Sequence, residues 1–89
     1  SCEMTVLRVK SGFSLELDGF AGTQVISVSG KFAVNGAVDY HQLENGDRFV
    51  SDGSGRLRLV NMGDQTGEAL IIVPPTPKAD AVDGLKAAI

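Results

Sequence analysis

VISVSGKFAVNGAVDYHQLENGDRFVSDGSGRLRLVNMGDQTGEALIIV, from Val25 to Val73, decides the fold of this 89-residue chain. It divides into short runs in which apolar and polar residues alternate, and clusters of Gly, Asn and Asp separate the runs. Alternation with a period of two marks strands that bury one face, and the clusters between them carry turn chemistry. Lys31 to Val34 directs Phe32 and Val34 inward. Asn35-Gly36 then predicts a type I′ hairpin leading into a strand over Val38 to Leu43, because that turn needs positive φ at both central residues. A tight turn at Glu44-Asn45-Gly46-Asp47 precedes a short strand, Arg48 to Ser51, and Asp52-Gly53-Ser54-Gly55 makes a third turn. In Arg56 to Val60 the leucines, Leu57 and Leu59, face in and both arginines face out. Glu68 to Val73 is almost continuously apolar, which predicts a strand covered on both faces by a second sheet or by a partner subunit.

Upstream of this stretch the same rhythm continues. Thr5 to Lys10 sets Leu7 and Val9 against Arg8 and Lys10, and Phe13 to Asp18 sets Phe13, Leu15 and Leu17 against Ser14, Glu16 and Asp18. Gly19 to Gly22 forms a turn with Phe20 at its tip, and Gln24 to Ser29 is rich in β-branched residues. Phe13, Phe32 and Phe49 are assigned to the core, whereas Phe20 is the aromatic expected at the surface, where it can mark a contact. Downstream, Pro74-Pro75-Thr76-Pro77 cannot continue a ladder and reads as an extended spacer. The expected division is therefore a β domain over 1–73 and a spacer with a tail over 74–89. In the tail, Asp80 caps a short helix over 80–89 that places Val82, Leu85 and Ile89 on one side. A helix so short needs something to pack against.

Composition excludes several classes of function. Eight basic against eleven acidic residues, a formal charge of -3, do not make a nucleic-acid surface. No apolar run has the length of a membrane-spanning helix. Cys2 is the single cysteine, so no internal disulfide can form. It reads as a free thiol, with an intermolecular disulfide and a lipidated N-terminal cysteine as the sharper alternatives. No secretory signal is visible, and the expected location is cytoplasmic or particle-associated.

Two runs carry a resemblance to a known family. Ser29-Gly30-Lys31-Phe32-Ala33-Val34-Asn35-Gly36, followed by Tyr40-His41-Gln42-Leu43-Glu44-Asn45-Gly46-Asp47-Arg48-Phe49-Val50, resembles the central part of a cupin, in which a strand ending in Gly leads through a hairpin to a leucine and a Gly-Asp turn. Leu57 to Asn61 with Ala69 to Val73 resembles the second cupin motif, which has a histidine three residues before its asparagine. With Asn61 as that asparagine, Leu57 stands where the histidine belongs. The first motif needs two histidines and a glutamate in or near the strand before Gly30, and Gln24 to Ser29 has none. The resemblance, over residues 5–73, implies a small cupin-like roll or barrel of short antiparallel strands, minimal or half-sized, and a dimer; with the Pro-rich linker and short C-terminal helix or arm read from the tail, the expected fold class is all-β. The resemblance implies no metal, no cofactor and no reaction.

The residues themselves offer little further chemistry. His41 is the only histidine, and with Asp39 two residues away on the same strand face it could orient a base or hold half a metal site. One imidazole per chain is too few for a metal centre. Asp47, Asp52 and Asp64 adjoin turn glycines without calcium-loop spacing. Ser27 and Ser29 lack the surroundings of a nucleophile. Arg56 and Arg58 are spaced to clamp a carboxylate, a phosphate or an acidic partner. The expected function is a non-catalytic, self-associating or partner-binding module used in assembly or recognition, including as a structural component of a phage or viral particle. Self-association would use Leu70, Ile71, Ile72, Val82, Leu85 and Ile89 in a homodimer or higher homo-oligomer, and the C-terminal tail would reach a protein partner. Contacts to a ligand or partner would come from Arg56, Arg58, Tyr40, His41 and Phe20. The alternatives are a sensor for a sugar or acid held by Arg56, Arg58 and Tyr40 in the mouth of the roll, and a metal-dependent cupin enzyme.

Overall fold

A computed structural model describes residues 2–36 and 40–75 of the chain. Its elements are β1 (Glu3–Val9), β2 (Ser14–Leu17), β3 (Gln24–Ser29), β4 (Phe32–Asn35), β5 (Tyr40–Leu43), β6 (Arg48–Val50), β7 (Leu57–Asn61) and β8 (Gly67–Val73), with no helix among the described residues. They form two four-stranded antiparallel sheets, ordered β1-β8-β3-β6 and β2-β7-β4-β5. Successive strands cross between the sheets except at the β4–β5 hairpin, so the inner faces meet in one core. Val25, Val34, Leu59 and Ala69 are wholly buried, with Phe32 and Leu57 beside them. The period-two pattern thus places its apolar members where the two sheets face each other.

Glycine closes the tightest corners. Gly46 adopts φ 87° in the Glu44–Asp47 turn, where the Asp47 N–H donates to the Glu44 carbonyl at 2.8 Å and the Asp47 carboxylate accepts from the Glu44 N–H at 2.8 Å. Gly30, at φ 104°, follows the register shift of β3 between Ser27 and Ser29. Both backbones lie in the left-handed region that favours glycine.

Two expectations need correction. The Asn35-Gly36 hairpin forms, but Asn35 remains in β4 opposite Tyr40, and neither Asn35 nor Gly36 has positive φ. The connection is 36–39 in place of a two-residue turn, because Asn35 is held in ladders with both Tyr40 and Arg58. Phe13 is 62% exposed and not in the core; it precedes β2, in a turn where its N–H donates to the Lys10 carbonyl at 3.0 Å. In β8, Ala69 and Ile71 enter the core, while Leu70 and Ile72 face outward, half-buried. Val82, Leu85 and Ile89, with the helix expected over 80–89, lie outside the described residues. No helix of the described residues is long and apolar enough to cross a membrane.

Candidate functional site

In the β2-β7-β4-β5 sheet the register sets Glu16, Arg58, Asn35 and Tyr40 in one outward row. Arg56 and Arg58 therefore project from the outer face, as their alternation with Leu57 and Leu59 requires, and do not enter the mouth of the roll. Both are engaged within the chain. Arg58 bonds the Glu16 carboxylate at 3.2 Å and the Ser14 hydroxyl at 3.2 Å, while Arg56 bonds Glu16 at 3.3 Å and Asp18 at 3.1 Å. The clamp expected for an acidic ligand thus grips the neighbouring strand. All four charged side chains are at least half exposed, so Arg58→Ala should lower stability by less than about 1 kcal/mol, an effect that added salt diminishes. Urea melts at low and high salt would measure it. Tyr40 accepts a long 3.4 Å hydrogen bond from the Gln42 amide on this outer face.

His41 has the opposite parity. It lies across from Val34, on the inward side of the edge strand β5, and its ring stands 4.9 Å from that of Phe49 with the planes tilted by 47°. The pair spans the seam between β5 and β6, and Asp39, the proposed companion of His41, lies outside the described residues. Phe20 is exposed at its turn, as expected. The remaining chemical candidates resolve into structural roles. Ser27 is fully buried and donates its hydroxyl to the Gly30 carbonyl at 2.7 Å. Asp52 closes a local turn by accepting from the Ser54 N–H at 2.9 Å. Hydrogen bonds from Ser54, first from its hydroxyl and then from its N–H, hold the Asp52 carboxyl below its usual pKa. The contribution of this turn is fully present above the unfolded-chain pKa and is lost as the pH falls through the lowered folded value.

The interior is lined by Leu15 and Leu17 from β2, Val25 and Ser27 from β3, Phe32 and Val34 from β4, and Leu57 and Leu59 from β7. Apolar carbon, the buried hydroxyls of Thr23, Ser27 and Ser51, and the single exposed imidazole of His41 at the β5 edge do not make a ligand set that a divalent or transition metal selects. No three His, Cys, Asp or Glu side chains converge among the described residues. Asn61, by contrast, is 2% exposed and fully employed. Its Nδ2 donates to the carbonyls of Val9 at 2.7 Å and Gln65 at 2.8 Å, and its Oδ1 accepts from the Gly63 N–H at 2.8 Å. The asparagine of the second motif therefore serves as a clasp joining the end of β1 to the β7–β8 loop.

Two interleaved antiparallel sheets, with this asparagine at the end of β7, define the architecture. The fold is cupin-like. A Cupin 2 conserved barrel domain protein from Salinispora arenicola superposes with a TM-score of 0.74 at 17% identity, covering 93% of this chain and 71% of that one. A de novo designed double-stranded β-helix gives 0.65 at 19% identity, covering 78% of this chain and 95% of that one. A sugar phosphate isomerase from a cupin superfamily, from Silicibacter pomeroyi, gives 0.68 at 17% identity, covering 85% and 52%. Neither a protein-family model nor a curated protein matches the sequence. The cupin likeness covers the architecture alone, and the residues that line this interior do not fit the metal that cupin motif histidines would hold. Leu70 and Ile72, expected at a self-association surface, are joined outside the barrel by residues the sequence did not single out. On the outer face of the β1-β8-β3-β6 sheet, one row carries Met4, Ile72, Gln24 and Val50 and the next carries Val6, Leu70, Ile26 and Arg48. Met4, Val6 and Val50 are more than half exposed. Sequence pattern could have found this face, because β1 and β8 carry apolar residues at both parities.

Proposed function

We propose that this chain is a non-catalytic cupin-like module that works by binding protein, in the first place a second copy of itself. The supporting observation is the outer face of the β1-β8-β3-β6 sheet, where Met4, Val6, Ile26, Val50, Leu70 and Ile72 form an apolar field beside exposed Val28. The polar groups of this face already satisfy one another. Arg48 donates to Gln24 at 3.0 Å, and Arg8 pairs with Glu68 at 3.4 Å. A contiguous apolar surface rimmed by polar residues is the mark of an interaction site. Ile71, expected to join such a contact, serves the core at 6% exposure, which leaves Leu70 and Ile72 as the β8 residues that meet a partner.

Light scattering on the full chain should give a mass of at least twice 9.3 kDa, falling to the monomer in Ile72→Glu, because a carboxylate buried in an apolar contact lacks a partner. A wild-type monomer at 100 μM, on the order of the weakest stable association, would remove the reading.

A second reading has one observation in its favour. An open groove of about 770 Å³ runs along the rim between Gly30, the β5–β6 turn and the β7–β8 loop, lined by Ser29, Lys31, Asn45, Asp64 and Thr66 among others. With Lys31, Glu44, Asn45 and Asp64 beside Met62, this mixed polar and apolar cleft would suit a small hydroxylated ligand, which moves the sensor reading away from Arg56, Arg58 and Tyr40. Melting the protein against a panel of sugars and sugar acids tests it.

A further inference from the structure

The groove at the rim is walled by three segments that the fold clasps together. Asn45 of the β5–β6 turn accepts at Oδ1 from the Gly30 N–H at 2.7 Å, which ties that turn to the β3–β4 corner. The Met62 N–H donates to the Lys31 carbonyl at 2.8 Å, which ties the β7–β8 loop to the same corner. Within that loop the Ser11 hydroxyl donates to the Gly63 carbonyl at 2.6 Å, and Asn61 holds both Gly63 and Gln65. The walls are therefore fixed in advance of any ligand, and a preformed cleft loses little ordering entropy on binding. The groove also lies away from the position of the motif histidine. Leu57 opens β7, whereas Met62 follows its last residue, Asn61, and the four residues of rise between the two ends of the strand amount to roughly 13 Å.

We infer that this groove, together with a smaller pocket beside it, is a two-part site for a neutral glycoside that carries an apolar substituent. The inference rests on the groove reading given above as the second function and specifies its ligand. The smaller pocket, of about 190 Å³, is lined by Phe32, Gln42 and Leu43 together with Lys31, Glu44 and Met62, and the last three also line the groove. A space of about 150 Å³ takes a benzene ring, so one ring or short chain fits against Phe32, Leu43 and Met62. Met62, half exposed at the junction, is available to both parts. The larger part is polar. Asp64 makes no ion pair or hydrogen bond among the described residues, and Asn45, with its Oδ1 engaged, keeps its Nδ2 as a donor. A carboxylate acceptor in one groove with an amide donor and the hydroxyls of Ser29 and Thr66 suits vicinal hydroxyls, each of which both donates and accepts. Charge decides against an acid. Lys31 stands 4.0 Å from Glu44 and offsets it, which leaves the groove with the negative charge of Asp64, so a carboxylate or phosphate on the ligand meets repulsion.

Titration of the full chain, followed by backbone-amide NMR, tests the site. The probes are the phenyl β-glycosides of glucose and galactose, each beside its free sugar and its phenyl uronide. At least one phenyl glycoside should shift the amides of Met62, Gly63 and Asp64 and bind about tenfold tighter than its free sugar, through the ring in the apolar pocket. The matching uronide should bind roughly fivefold more weakly than that glycoside. Met62→Gln should remove the preference for the phenyl group and Asp64→Asn the discrimination against the uronide, both at exposed positions where the fold is retained. Equal affinity for a phenyl glycoside and its free sugar would overturn the two-part site, and tighter binding of a uronide would overturn its neutrality, while either result leaves the groove standing as a sugar site. Variants that keep both preferences would overturn the assignment of Met62 and Asp64. No amide shift with any probe at roughly 10 mM would overturn the groove reading as well.

Discussion

Replacing Asn61 by leucine is expected to lower the unfolding free energy by about 3 kcal/mol, equivalent to roughly 15 °C in melting temperature for a chain of this size. Leucine nearly preserves the volume, so the loss isolates the hydrogen bonds. The amide satisfies the carbonyls of Val9 and Gln65 and the N–H of Gly63 at 2.7 to 2.8 Å from a site that is 2% exposed. Gln65 is exposed and can recover a bond to water, but Val9 is buried, so its carbonyl bears the full desolvation cost. Asn61→Asp supplies a sharper test of the donor role. A carboxylate there still accepts from Gly63 but faces two carbonyls, which raises its folded pKa above that of the unfolded chain. Its deficit should therefore be small below the unfolded pKa and grow as the pH rises through the folded value. Urea midpoints from pH 3 to pH 8 would display this trend, and a pH-independent deficit would contradict the clasp.

The second large effect is expected at Phe32. Truncation to alanine should cost about 3–5 kcal/mol, a large share of the 5–13 kcal/mol, roughly, that a domain of this length possesses. The ring is 1% exposed and spans the gap between the sheets, where it lies over Gly67 at the start of β8. A Cβ at Gly67 would stand 2.9 Å from the Phe32 ring and 2.8 Å from the Ser29 carbonyl oxygen. Gly67→Ala should thus also destabilise, by about 1–3 kcal/mol. Adding Phe32→Leu relieves the ring contact but not the backbone one, so the double variant should recover only part of the Gly67→Ala loss. Full additivity in a double-mutant cycle would show that the two sites are not in contact.

Much of this architecture was legible residue by residue. Leu57 and Leu59 alternate with Arg56 and Arg58, and that alone determined which pair is buried. Gly46 and Gly53 announced turns that do require positive φ. Leu57 stands where the motif histidine belongs, and that difference is visible in the sequence alone. The errors share one cause, in that local pattern cannot see the neighbouring strand. Asn35-Gly36 has the composition of a type I′ turn, yet ladders on both sides keep Asn35 extended. Phe13 has the parity of Leu15 and Leu17, yet it lies beyond the end of the sheet that would cover it. Arg56 and Arg58 looked free to bind a ligand because Glu16 and Asp18 are some forty residues away in the chain and adjacent only in space.

By itself the sequence determined the strands, their inward faces, the turns and the absence of a histidine ligand set, because period-two alternation and turn preference are properties of consecutive residues. Only the tertiary structure decided which strands become neighbours and which become edges. Pairing order assigns carboxylates to arginines, converts the motif asparagine into a clasp, and gathers Met4, Val6, Ile26, Val50, Leu70 and Ile72 on one outer face. Those outcomes depend on contacts between residues far apart in the chain, where hydrogen-bond register and packing between sheets, rather than local preference, set the free energy.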